Sequence, residues 1–251
     1  MLRLDETDVP LYRWDGPPRV VAAFSMRLGG VSDGPFASLN LGIRSGDDVP
    51  RVLENRRRLC AAVGADPGRT VCLHQVHSAT VHDADRIPER SFLEPQESPR
   101  GDVLLTRRPG RAVVAFAADC VPVAVATDDG EALAVCHAGW RGLLAGAVEA
   151  AVAALPDGPK RAAIGPCAGP RRYAVGAEVA RPLTDRFGAD VVRDGHADLP
   201  RCAERALRDA GVADVDVAGI CTIDDRRFFS HRRDGAPGGR QALIAYLGAA
   251  P

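Results

Sequence analysis

The residues in this chain best suited to chemistry are imidazoles and a thiol standing where apolar runs break: His77, Cys120 and His137. A His/Cys/His set can hold Zn²⁺ with its fourth position left to water or substrate, the arrangement of a catalytic rather than a closed structural site. The three lie far apart in sequence, and spacing alone leaves open an alternative of satisfied or exposed histidines plus a buried thiol. His74 shares an apolar stretch with His77, but three residues apart in an extended strand the two face opposite ways. His82 and His196 sit among aspartates, as surface histidines do.

Cys120 belongs to Asp119-Cys120-Val121-Pro122, directly after a strongly apolar run. Either Asp119 caps the chain there and Cys120 packs in the core, or Cys120 is a thiolate ligand or nucleophile whose pKa a metal or imidazole lowers. In the second case Asp119 orients a partner or a substrate hydroxyl. His137 opens His137-Ala138-Gly139-Trp140-Arg141-Gly142, where a buried strand ends and an alanine-rich helix begins. Arg27 and Arg141 stand close to glycines, where backbone can approach an anion, and are candidate anion contacts or else solvated loop arginines. No Ser-His-Asp arrangement, phosphate-binding loop or dinucleotide fingerprint is present.

The elements that must position these groups can be read in order. Residues 19–25 form the first solid strand, followed by a loop rich in Gly and Pro. Asp47 or Asp48 caps a helix opened by Pro50, running to about Val63 and closed by Gly64. Residues 70–81 read as a second strand region, and 87–100 as an exposed connection. Strands follow at 102–106, 111–118, 121–126 and 132–136, with runs apolar enough to be buried on both faces. A helix over 143–155, a strand at 161–164, helices over 176–187 and 199–210, and strands at 215–221 and 242–247 complete the chain.

The 251 residues carry a formal net charge of −1, with 46% hydrophobic and 26% charged residues, an ordinary globular balance that points to neither nucleic acid nor an anionic membrane. The basic residues are nearly all Arg, so arginine richness is no evidence for a phosphate site; each one must be argued from its neighbours. The N-terminus lacks a signal-peptide pattern and no run approaches the ~20 apolar residues of a membrane span, which points to the cytoplasm. Seven cysteines without CxxC spacing would stay reduced there, most of them as small core residues.

Taken together, Arg27 to Ser32, Ser38-Leu39-Asn40-Leu41-Gly42, Gln75-Val76-His77, Ala118 to Pro122, His137 to Gly142, Gly165-Pro166-Cys167 and Phe229-Ser230-His231-Arg232-Arg233-Asp234-Gly235 resemble the motifs of the laccase-domain family. Its members have been called multicopper polyphenol oxidases, purine nucleoside phosphorylases and peptidoglycan editing factors. The resemblance spans about residues 19–247. It departs at Met26, where a threonine is common, and at Ser78, where a glycine is usual.

The resemblance implies an α/β (α+β) fold: an N-terminal extension over residues 1–18, then one laccase-type domain over 19–251 with mixed sheets between helical layers, an α/β/β/α sandwich. It implies a metal, usually zinc, on His77, Cys120 and His137, which would also be the catalytic residues, and a purine nucleoside and phosphate as partners. Expected reactions are phosphorolysis of adenosine, inosine and methylthioadenosine, and deamination of adenosine. Zinc would activate a water or polarise the substrate, while Arg27 and Arg141 hold phosphate and Asn40 and Gln75 bind polar groups of the nucleoside. A monomer is expected.

Polyphenol oxidation fits less well, because six scattered histidines cannot hold a trinuclear copper cluster plus a separate copper, although the His₂Cys site could take Cu²⁺. Other readings are a hydrolase that edits cell-wall precursors and a non-enzymatic metal-dependent binding module. The sequence leaves open whether Ser230, His231 and Arg232 close over the pocket or pack beneath it.

Overall fold

The computed structural model describes residues 1–95 and 97–249. The first half contains β1 (Leu2–Asp5), β2 (Leu11–Trp14), β3 (Val20–Ser25), α1 (Val49–Val63), β4 (Thr70–Cys72), β5 (Val81–Asp83), β6 (Val103–Thr106), β7 (Ala112–Ala117) and β8 (Val121–Thr127). After these come β9 (Leu133–Ala138), α2 (Trp140–Ala145), α3 (Ala147–Ala153), β10 (Lys160–Ile164), α4 (Ala177–Phe187), β11 (Val192–Arg193) and β12 (His196–Ala197). The chain closes with α5 (Leu199–Asp209), β13 (Asp214–Val217), α6 (His231–Asp234) and β14 (Gln241–Leu247).

Among the described residues, two six-stranded sheets form the centre, ordered β1-β2-β3-β14-β7-β4 and β13-β10-β8-β9-β6-β5. Their inner faces share one apolar core, in which Phe24, Ala115 and Leu243 of the first sheet meet Leu104, Ala124 and Leu133 of the second. Helix α1 covers the outer face of the first sheet through Leu59 and Val63, and α2 to α5 cover that of the second. The expected α/β/β/α sandwich is present. Every residue of β8 and β9 is buried because both faces of this hairpin are covered, which accounts for runs of Val and Ala without polar alternation.

Three expectations change. Residues 1–18 are no extension: β1 and β2 pair antiparallel onto β3, and Trp14 is buried in the core between the sheets with its Nε1 donating to Asp216 of β13 at 2.9 Å. The apolar run 70–81 splits, with β4 joining the first sheet and β5 the second. Residues 73–80 therefore cross between sheets, and His77 sits in the crossing at φ 63°. The helix over 143–155 is two, because Gly146 at φ 85° caps α2 in the left-handed region and starts α3. Helix α1, closed by Gly64 at φ 76°, starts and stops where the sequence places it, although no side chain caps it.

Candidate metal centre

The β8–β9 register sets Val121 opposite Ala138 and Pro122 opposite His137, which brings Cys120, one residue before β8, to the end of β9. Strand β6 pairs with β9 from Val103 opposite Cys136, leaving Asp102 beside His137. The crossing segment supplies His77. The ligand atoms of His77, Cys120 and His137 all lie within 4.8 Å of one another, with Cys120 Sγ 3.7 Å from His77 Nε2 and the two imidazoles edge-to-face at 4.9 Å between centroids. Such proximity of two imidazoles and a thiol fits a metal ion with an N₂S donor set.

Gly139 makes the approach possible. A Cβ there would stand 2.6 Å from Cys120 Sγ, closer than real Cβ atoms come, and 3.0 Å from His77 Cδ2, a tight contact. The glycine in the HAGWRG motif is thus a space requirement of the ligand cluster.

Asp102, buried, organises the cluster and was not picked out in the sequence. Its carboxylate accepts from Nδ1 of His137 at 2.9 Å, from the backbone N–H groups of Val76, His77 and Ser78, and from the Ser78 hydroxyl at 2.9 Å. One carboxylate thereby fixes the His137 tautomer, leaving Nε2 free for a metal, and holds His77 in its left-handed conformation. Ser78, which stands where the family usually has glycine, adds a bond to this carboxylate.

The electrostatics follow from these contacts. Burial resists the charge on Asp102, but the bonds from His137 and from the N–H groups of Ser78 and His77 prevail and hold it well below the usual carboxylate range. Burial likewise opposes the Cys120 thiolate, yet facing His137 and His77 brings the thiol down to about 6. His137, buried as well, is raised to about 9 by Cys120 and Asp102. Cys120 and His137 thus each favour the charged form of the other, and a metal held by them would take the place of a proton at Nε2 of His137. By contrast Cys136, one residue before His137, sits in apolar core and its thiol is pushed far up.

The cluster opens into a cavity of about 430 Å³, within the range of small-molecule sites. Phe116, Tyr173 and Leu199 give it apolar walls; His231, Arg232 and Arg240 give it polar ones. The α6 segment therefore lines the pocket. Ser230 instead caps α6, accepting from the Arg233 N–H at 3.1 Å, and Arg232 lies over the Tyr173 ring at 4.3 Å.

The remaining expected contacts divide. Asp119 lines the cavity but acts as a positioning residue, accepting from Thr222 Oγ1 at 2.6 Å and from the Arg232 N–H at 2.8 Å. Gln75 also lines it, with its amide engaged by the backbone of Phe116 in both directions at 2.7 and 2.8 Å. Asn40 is fully buried and bonded to Ser45, Asp47, Gly42 and Arg240, so it faces no ligand. Arg27 donates to the Ala37 carbonyl and lies over Phe229 at 4.5 Å; Arg141 is exposed over its neighbour Trp140. Neither of these arginines lines the cavity. Their glycine neighbours predicted an anion site, but Arg27 is turned onto its own loop and Phe229, and Arg141 lies in the first turn of α2 over Trp140.

A family model described as multi-copper polyphenol oxidoreductase laccase matches residues 21–248, and the chain belongs to that family. Among relatives, a purine nucleoside phosphorylase of Xylella fastidiosa is 42% identical, with 94% of this chain and 95% of that protein covered. The purine nucleoside phosphorylase YfiH of Escherichia coli is 37% identical over 94% of this chain and 97% of its own. Of solved structures, YlmD from Geobacillus stearothermophilus superposes with a TM-score of 0.88 at 29% identity, covering 98% of this chain and 99% of that one. Among the described residues, no helix is long and apolar enough to cross a membrane.

Proposed function

We propose that this chain is a zinc-dependent purine nucleoside phosphorylase acting on adenosine, inosine and methylthioadenosine. The observation that carries it is a His77–Cys120–His137 cluster open to a cavity with aromatic walls, in a chain whose relatives bear the phosphorylase name. Bound to these three residues, zinc would supply Lewis-acid polarisation of a substrate heteroatom. In phosphorolysis the C–N bond to the base breaks with its electron pair leaving on the purine, and a C–O bond forms from phosphate to the sugar carbon. The chain's own contribution is positioning. Asp102 holds His137 and His77, Phe116 and Tyr173 present apolar faces to the purine, and Asp119 ties the α6 segment against the opening.

Copper is the other metal that this soft set accepts, but laccase chemistry needs several copper sites. Among the described residues one group of three or more potential ligands exists, which favours the nucleoside reading.

The test is chromatographic product analysis of zinc-quantified protein with adenosine, with and without phosphate, beside Cys120→Ala. Adenine released only with phosphate, and lost in the variant, is the expected result. Phosphate-independent inosine would replace phosphorolysis with deamination, and no product from zinc-loaded protein would shift the assignment to editing of cell-wall precursors.

A further inference from the structure

Beside the metal cavity lies a second one of about 270 Å³, and the two share Gln75, Phe116 and Arg240 as a common wall. Its other lining includes Arg44, Arg56, His74, Ser45 and Ser98, and among the described residues no carboxylate lines it.

The charge balance here is unlike that elsewhere. Most buried or half-buried arginines of this chain have an acid within reach: Arg13 has Asp5, Arg111 has Glu89, Arg205 has Asp190 and Arg233 has Asp234. Arg56 is only 2% exposed, yet bonds only the carbonyls of Leu41 and Phe92 and lies over the rings of Phe92 and Phe116 at 4.3 and 5.4 Å. Arg240 bonds the carbonyls of Gly238 and Gly239. The Nη1 of Arg44 lies within 2.8 Å of both ring nitrogens of His74. None of the three has a carboxylate within ion-pair distance among the described residues. Cys72, also in the lining, adds no counter-charge, because burial pushes its thiol up. Guanidinium stays charged at any accessible pH, and a buried charge without a counter-ion, as at Arg56, is costly; with the half-buried Arg240 and the exposed Arg44 lining the same cavity, the site selects an anion. Arginine forks suit phosphate oxygens, and Ser98 adds a hydroxyl.

We propose that this cavity is a phosphoryl-binding subsite that presents its anion to the metal cavity across the Gln75–Phe116–Arg240 wall. The use of that anion as a co-substrate rests on the phosphorylase reading; its binding does not. Two sources share the chemistry: free phosphate, and a phosphoryl group carried by a larger substrate.

The test measures dissociation constants for inorganic phosphate and for adenosine 5′-monophosphate by calorimetry, with the zinc-loaded protein and its variants. Arg44→Gln removes an exposed loop cation, Ile43→Asp places a carboxylate in the lining, and Arg86→Gln, on an exposed turn away from both cavities, is the control. Circular dichroism confirms that each variant keeps its fold. Phosphate binding weakened at least about tenfold in both cavity variants and unchanged in the control identifies free phosphate as the occupant. The same loss for the monophosphate alone keeps the subsite and assigns it to a larger substrate. Binding of both probes unaffected by either variant, or absent in the parent protein, overturns the proposal. Adenine release separates the two readings: a protein that binds phosphate through Arg44 but releases no adenine leaves the subsite and sinks the phosphorylase, whereas release with an unchanged phosphate KM in Arg44→Gln does the reverse.

Discussion

The two neighbouring cavities have opposite chemistry on either side of one wall. In the metal cavity a thiolate and two imidazoles converge under the control of the buried carboxylate of Asp102. In its neighbour Arg44, Arg56 and Arg240 share a lining that, among the described residues, holds no carboxylate. The first gathers electron-pair donors, which suit a cation; the second gathers cations, which suit an anion. Arg240 belongs to both, since it lines each cavity.

Removing a metal donor should break the contrast most completely. His137→Ala is expected to abolish metal binding, read by elemental analysis, while the far-ultraviolet circular dichroism stays native, because the side chain sits at the end of β9 and not in the middle of the core between the sheets. Full metal stoichiometry in that variant would remove His137 from the ligand set.

A smaller effect comes from the residue that orients the donors without touching the metal. Asp102→Asn keeps the shape but cannot accept from His137 and three backbone N–H groups as a carboxylate does, so metal affinity should fall on the order of 10–100-fold in competition with a chelator. An unchanged affinity would reduce Asp102 to a structural acceptor.

The finest distinction is spectroscopic. In metal-free protein, thiolate absorbance should rise as the pH passes about 6 and be missing in Cys120→Ser, while the Cys60 and Cys202 thiols, pushed up to about 11 and about 12, stay silent. The folded pKa lies below the ordinary 9.0 of a thiol, so this group's contribution to stability is fully present above pH 9 and is lost as the pH falls through about 6. No step near 6 would mean that the imidazoles do not face the sulfur as described.

Much of the metal cavity was legible beforehand because its parts lie in short, distinctive motifs. His137, Gly139 and Cys120 stand at the end of an apolar run or directly after one, where a buried strand stops and a side chain reaches an opening. Asp102 was not legible: 35 residues separate it from His137, and only the β6–β9 register makes them neighbours. The arginine cavity was invisible for the same reason, since Arg44, Arg56 and Arg240 come from a loop, a helix and the approach to β14. The glycine-flanked Arg27 and Arg141 line neither of the two cavities.

The sequence by itself determined the local elements: where α1 begins and ends, and which runs are strands buried on both faces. Those features depend on side-chain type and on neighbours within a few positions. Only the tertiary structure decided that residues 1–18 belong to a sheet, that the 70–81 run divides between two sheets, and which buried charges find partners. Strand pairing and desolvation are settled by residues distant in the chain, and the same Arg or Asp is a loop brace or a ligand-binding group according to what the fold packs against it.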